Sequence, residues 1–217
     1  PPNCPPQVLS PVHEDGLSIG VDVPLNTSNE MNTMFIRNMG QWENLDGVFF
    51  LRFPDYTVVF YRGFIEYWVG DHNTNVGLTN KCRISFYDAN SCIPTGRNGF
   101  SHSVNYLLGN DSTNWITGVE SYKEIVYPEL WRGIDLRYFI HNGSLKYELN
   151  LRPNADETQI IFQYDGVDNI DISSGDMVIE TPFGRILDER PRSYQMIEGH
   201  RVDVDSRFVL LDYSAIS

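Results

Sequence analysis

Five histidines, His13, His72, His102, His141 and His200, are scattered along the chain. None stands at the spacing that lets two imidazoles share a zinc ion, as in His-Glu-x-x-His. No Gly-x-Ser-x-Gly segment presents a serine nucleophile, and no cysteine is patterned with a histidine base. The 29 acidic residues could include a glycosidase's two carboxylates, yet nothing marks out a pair. The densest acidic run is Asp165, Asp168, Asp171, Ser173, Ser174 and Asp176. It offers the oxygen ligands that Ca2+ prefers without the Asp-x-Asp-x-Asp-Gly spacing that gathers six or more round one ion. Solvated strand ends explain the run equally well. The chain is therefore expected to carry no catalytic residue, no metal site and no cofactor, a structural Ca2+ being the one ion that the acidic run leaves open.

Of the three cysteines, Cys82 and Cys92 flank a short strand and turn, while Cys4 lies near the start. A Cys82–Cys92 disulfide would close a small loop and contribute about 2.5–3 kcal/mol on the chain-entropy model. The alternative is two buried thiols. Cys4 is then left to bond a neighbouring subunit, to stay reduced or to displace that pairing. Asn26-Thr27-Ser28, Asn110-Asp111-Ser112 and Asn142-Gly143-Ser144 fit the N-glycosylation triplet. With the cysteine pair, these triplets point to an extracellular setting.

Composition narrows the classes further. A net charge of −13 argues against nucleic acid and anionic membrane surfaces, because phosphate binding needs clustered Lys and Arg. No stretch approaches the 18 apolar residues of a membrane-spanning helix. A start at Pro1 fits a secretory protein whose signal peptide has been removed. Aromatic residues make up 13% of the chain and alanine is nearly absent, which favours half-buried pleated surfaces over helices.

Short strands with turn punctuation are expected throughout. Val48–Phe53, Tyr56–Tyr61 and Phe64–Val69, divided by Pro54-Asp55 and Arg62-Gly63, predict a meander. The strand Cys82–Tyr87 follows a polar loop, and Pro94–Gly99 reads as another loop. Ile134–Ile140 and Leu145–Leu151 alternate in phase around His141-Asn142-Gly143-Ser144, where Asn-Gly allows the positive φ of a tight hairpin. Asn154–Thr158 suggests one helical turn. Later strands are Gln159–Tyr164, Asn169–Ile172, Met177–Thr181, Ser193–Ile197 and Arg201–Leu211. This spacing predicts an all-β, antiparallel β-sandwich over residues 34–217, or two stacked β subdomains with a seam near 110–130. No repeat of fixed period is visible, so these residues are not themselves a propeller.

Residues 1–33 form a separate arm. Its first eleven residues include five prolines and read as extended and solvated. Leu17, Ile19, Val21, Val23 and Leu25 then occupy every odd position of a nine-residue stretch, the signature of a strand with one apolar face. The polar run 26–33 could span roughly 26 Å, enough to carry that strand to an adjacent molecule.

From Asn38 onward the sequence resembles a family of uncharacterised β-rich domains. These lie near the N-termini of secreted bacterial and archaeal proteins, often ahead of SBBP-type β-propeller repeats. The likeness rests on Asn38-Met39-Gly40-Gln41-Trp42, on Val104-Asn105-Tyr106-Leu107-Leu108-Gly109-Asn110-Asp111, and on Trp115 and Tyr122. It continues through Gly133-Ile134-Asp135-Leu136-Arg137-Tyr138, Leu145-Lys146-Tyr147-Glu148, Pro153, Ala155-Asp156, Phe162, Gly166 and Gly175-Asp176. It ends with Pro191, Tyr194-Gln195 and Arg207-Phe208-Val209-Leu210. The resemblance implies secretion and a β fold, and it brings no reaction.

The expectation is a non-catalytic structural protein of the cell exterior or cell surface, a filament or layer subunit that self-associates. Its donor strand would insert Leu17, Ile19, Val21, Val23 and Leu25 into a neighbour's sheet, and such head-to-tail contacts do not close. Cys4 would provide an intersubunit thiol. Surface adhesion or carbohydrate binding by a monomeric module is the alternative. That reading needs exposed aromatics, whereas Trp42, Trp68, Trp115 and Trp131 read first as core anchors. A hydrolase is the third reading.

Overall fold

The computed structural model describes residues 6–9, 33–42, 45–69, 80–107 and 109–211. Within them the chain is all-β, built of curled antiparallel sheets. A short strand, β1 (Pro6–Leu9), precedes a meander of β2 (Phe35–Arg37), β3 (Phe49–Arg52), β4 (Tyr56–Phe60), β5 (Phe64–Val69) and β6 (Asn80–Phe86). The predicted three-strand meander is thus the middle of a five-strand one. Next come β7 (Thr95–Gly99), β8 (Val104–Tyr106), β9 (Ile116–Val119) and the long β10 (Ser121–Trp131). The predicted hairpin follows as β11 (Ile134–His141) and β12 (Ser144–Leu151). Its turn has Asn142 at φ 48° and Gly143 at φ 76°, the left-handed pair that a two-residue turn requires.

The remaining strands are β13 (Ile161–Asp165), β14 (Asn169–Asp171), β15 (Met177–Thr181), β16 (Gly184–Asp188), β17 (Ser193–Ile197), β18 (His200–Val204) and β19 (Phe208–Leu210). A 3-10 turn at Glu157–Gln159, one of two with Ser112–Asn114, is capped by the Asp156 carboxylate, which accepts from the Thr158 N–H at 3.0 Å. Twelve strands make one sheet in the order β12-β11-β10-β2-β3-β4-β5-β6-β13-β1-β19, with β7 beside β10. Three smaller sheets are β14-β15-β16, β17-β18 and β8-β9.

One apolar core joins the large sheet to the three-stranded one. Phe35, Leu51, Phe60, Ile65, Tyr127, Trp131 and Tyr138 belong to the same buried cluster as Ile170, Met177, Ile179 and Ile186. Edge-to-face rings tie distant strands together: Phe86 meets Tyr127 at 5.1 Å, and Trp131 meets Phe162 at 5.6 Å. The Trp131 indole N–H donates to the Tyr87 carbonyl at 3.0 Å, which satisfies the one polar atom of the largest buried ring.

Two departures from the sequence reading have local causes. Thr95–Gly99 is not a loop but the strand β7. A Cβ on Gly96 would fall 2.4 Å from the Tyr122 ring, so glycine is needed there for the ring to lie across the strand. Arg201–Leu211 is not one strand, because 205–207 breaks it between β18 and β19. Ser206 anchors that break by donating to the Pro191 carbonyl at 3.0 Å.

Candidate strand-acceptor site

The large sheet has an unusual closing order at one end. β1 lies between β13 and β19 and pairs antiparallel with both. Val8 stands opposite Ile161 on one side and Val209 on the other; Gln7 stands opposite Phe162 and Leu210. β13 and β19 are not neighbours, and β1 is the only strand that β19 pairs with among the described residues. Without β1, one edge of β13 and the whole of β19 would present unpaired backbone donors and acceptors. Phe162, Tyr164 and Phe208 are buried, whereas Val209 and Leu210 are 42% and 45% exposed. The arrangement is a slot that accepts an extended segment through main-chain hydrogen bonds.

The outward face of β5 and β6 carries a second polar feature. Glu66 is buried and accepts from Arg83 Nη2 at 2.7 Å, from Trp68 Nε1 at 2.8 Å and from the Tyr61 hydroxyl at 3.2 Å. Burial pushes its carboxyl up, but Arg83, Trp68 and Lys81 together hold it below the usual glutamate value. Lys81 and Arg83 lie 4.2 Å over the rings of Trp68 and Phe64, so each ring already has a cation on one face. Trp131 is buried, and Trp42 stacks on Phe50 at 3.8 Å. Trp115 is 41% exposed.

A buried carboxylate links the two packed sheets. Asp188 on β16 is fully buried; its Oδ2 accepts from the Tyr147 hydroxyl at 2.9 Å, and its Oδ1 has no partner. Burial pushes Asp188 up to about 7, opposed by the Tyr147 hydrogen bond and the Lys146 ammonium and reinforced by Glu189 and Asp176. Tyr138 and Tyr164, both buried, border the same small void. Lys146 pairs with Glu189 at 3.3 Å at the rim.

The expected disulfide is absent: Cys82 and Cys92 are thiols. Cys82 is buried on β6, whereas Cys92 is half-buried in the segment between β6 and β7. Asn110 and Asn142 are both exposed. Asp165 ends β13 and the rest of the acidic run lies along β14 and its flanking turns, and Asp176 accepts from the Arg190 N–H at 2.8 Å. Among the described residues, no three His, Cys, Asp or Glu side chains are grouped to hold a metal ion. Cys4, Asn26 and the donor-strand residues Leu17, Ile19, Val21, Val23 and Leu25 lie outside the described residues.

Pro6–Leu9 carries no alternating strand signal in the sequence, because four residues amid prolines give too short a run for alternation to register. The usable signal was positional: proline is tolerated as the first residue of a strand, and Gln7-Val8-Leu9 follows one. No curated protein and no solved structure matches the chain. The family model described as a domain of unknown function (DUF7948) matches residues 35–217, and the chain belongs to that family.

Proposed function

We propose that this chain is a non-catalytic structural protein of the cell exterior whose N-terminal arm adds a strand to the sheet of a neighbouring subunit. One observation carries the reading. The strand that β19 depends on, β1, comes from outside the family-matched residues 35–217. A domain whose last strand is paired by a segment from beyond the domain can take that segment from its own arm or from another copy's. The alternating stretch Leu17–Leu25 gives the arm a longer apolar run than Pro6–Leu9, and the two would pass to the neighbour together as one arm. The resemblance to domains that sit ahead of propeller repeats in secreted proteins supports the extracellular setting, as do the exposed Asn110 and Asn142 triplets.

The cis and trans arrangements separate in one experiment. In a Cys4→Ser background, Val8→Cys and Val209→Cys place thiols at registered positions. Oxidation at low protein concentration should give an internal crosslink, and at high concentration covalent ladders on non-reducing gels. Light scattering and electron microscopy of the unmodified chain should show larger particles over the same range. A strictly internal crosslink together with a monomer at every concentration removes the proposal.

A further inference from the structure

We infer that the groove between the turn after β12 and the β17–β18 hairpin binds a neutral saccharide. It encloses about 720 Å3, within the range of roughly 300–1,000 Å3 that small-molecule sites occupy. Three side-chain amides line it, those of Asn150, Asn154 and Gln195. All three are exposed and make no hydrogen bond among the described residues. A planar amide presents a donor pair beside an acceptor, the pattern that adjacent sugar hydroxyls match. Asn154 is held at φ 66°, so its position is set by the turn rather than by a flexible loop.

The apolar part of the groove suits the C–H face of a pyranose. Tyr194 lines it with Met196, which is 62% exposed. The Arg201 guanidinium lies 4.1 Å over the Tyr194 ring and is itself held by Asp203 at 3.1 Å. That contact restrains the ring. A hairpin of only two strands gains little from burial of its own, and a ligand bridging it to the turn after β12 would add contacts on both sides.

The charges select against anionic sugars. Arg152, the cation on the groove wall, is committed to Glu129 and, at 3.6 Å, to Asp135. Asp205 is paired with Arg190 at 3.5 Å, and the Glu157 carboxylate lines the groove without a basic partner. A uronate, sialate or sulfate would meet a carboxylate and no available cation, in a chain whose net charge is already −13. The inference is independent of strand exchange, since the groove lies on other elements.

The test uses the full chain on an array of neutral gluco-, manno-, galacto- and xylo-oligosaccharides with sialylated and sulfated controls, followed by calorimetric titration of the strongest neutral hit. Asn154→Gly keeps the left-handed turn and removes the amide; Gln195→Ala and Tyr194→Ala remove the other contacts. Each variant should weaken binding at least tenfold while leaving the circular dichroism spectrum unchanged, and Trp68→Ala should bind as the parent does. The inference is overturned if no neutral glycan binds, if only acidic glycans bind, or if Asn154→Gly and Gln195→Ala both retain full affinity. Should Tyr194→Ala misfold, those two surface variants decide the matter alone.

Discussion

The Tyr147 hydroxyl donates to Asp188 Oδ2 at 2.9 Å and so joins β12 of the large sheet to β16 of the small one. The bond lies within the core, and the second carboxylate oxygen has no partner. A protonated Asp188 suits this place; an ionised one would be a buried charge with a single neutral donor.

The consequence is a pH dependence of definite sign. The folded pKa of Asp188 is raised to about 7 from 3.8, so the native state holds a proton that the unfolded chain releases. Stability from this group is full below about pH 4, falls as pH rises and is level above pH 7. The span is on the order of 4 kcal/mol. Asp188→Asn should match the parent near pH 4 and exceed its thermal midpoint at pH 8. Midpoints recorded from pH 4 to 9 check this, and parallel curves for the two proteins would contradict it.

Glu66 runs the other way. Its carboxyl is held below the ordinary value, so its contribution is present above pH 4.5 and is lost on acidification. Glu66→Ala removes the acceptor of Arg83 and of the Trp68 N–H, and because Arg83 remains half exposed it should cost about 1–2 kcal/mol in chemical denaturation at pH 7. That difference should shrink as pH falls below 4.5.

Gly166 follows β13 with φ 76°, and a Cβ there would meet the Lys81 carbonyl at 2.4 Å. Both the angle and the backbone contact exclude alanine. Gly166→Ala should destabilise by about 2 kcal/mol or more, measured by urea unfolding. Alanine at Gly143, where nothing lies within 4 Å of a Cβ, keeps only the φ cost and should lose about 1 kcal/mol.

The thiols give a direct check on the absent bridge. Cys82 is buried in the core and Cys92 half-buried, with burial pushing the Cys92 thiol up. Alkylation of the native protein should label Cys92 slowly and Cys82 only after unfolding. Peptide mapping without reductant should recover no Cys82–Cys92 pair; finding that pair would place the 88–94 turn against β6.

Removal of the arm tests the slot from the receiving side. In a chain lacking residues 1–33, the amides of Phe208–Leu210 should exchange much faster with solvent, because β1 is the strand they pair with. The Ile134–Leu151 hairpin, distant in the sheet order, should keep its protection. Unchanged exchange at β19 would show that it is held by something other than β1.

Local alternation and turn chemistry determined much of this fold from sequence alone. The β11–β12 hairpin was legible because Asn142-Gly143 and two in-phase apolar runs state the same register, and the meander because Pro54-Asp55 and Arg62-Gly63 punctuate it. What alternation cannot state is which strands meet across the chain, since those pairings depend on contacts between residues far apart in sequence. Tertiary packing made a strand of Thr95–Gly99, where Gly96 serves the Tyr122 ring rather than a turn. It also placed Pro6–Leu9 between β13 and β19, put Asp188 into the core, and left Cys82 and Cys92 as separate thiols. The amides of Asn150, Asn154 and Gln195 are unremarkable in sequence and become a groove only when the β17–β18 hairpin comes to lie beside the end of β12.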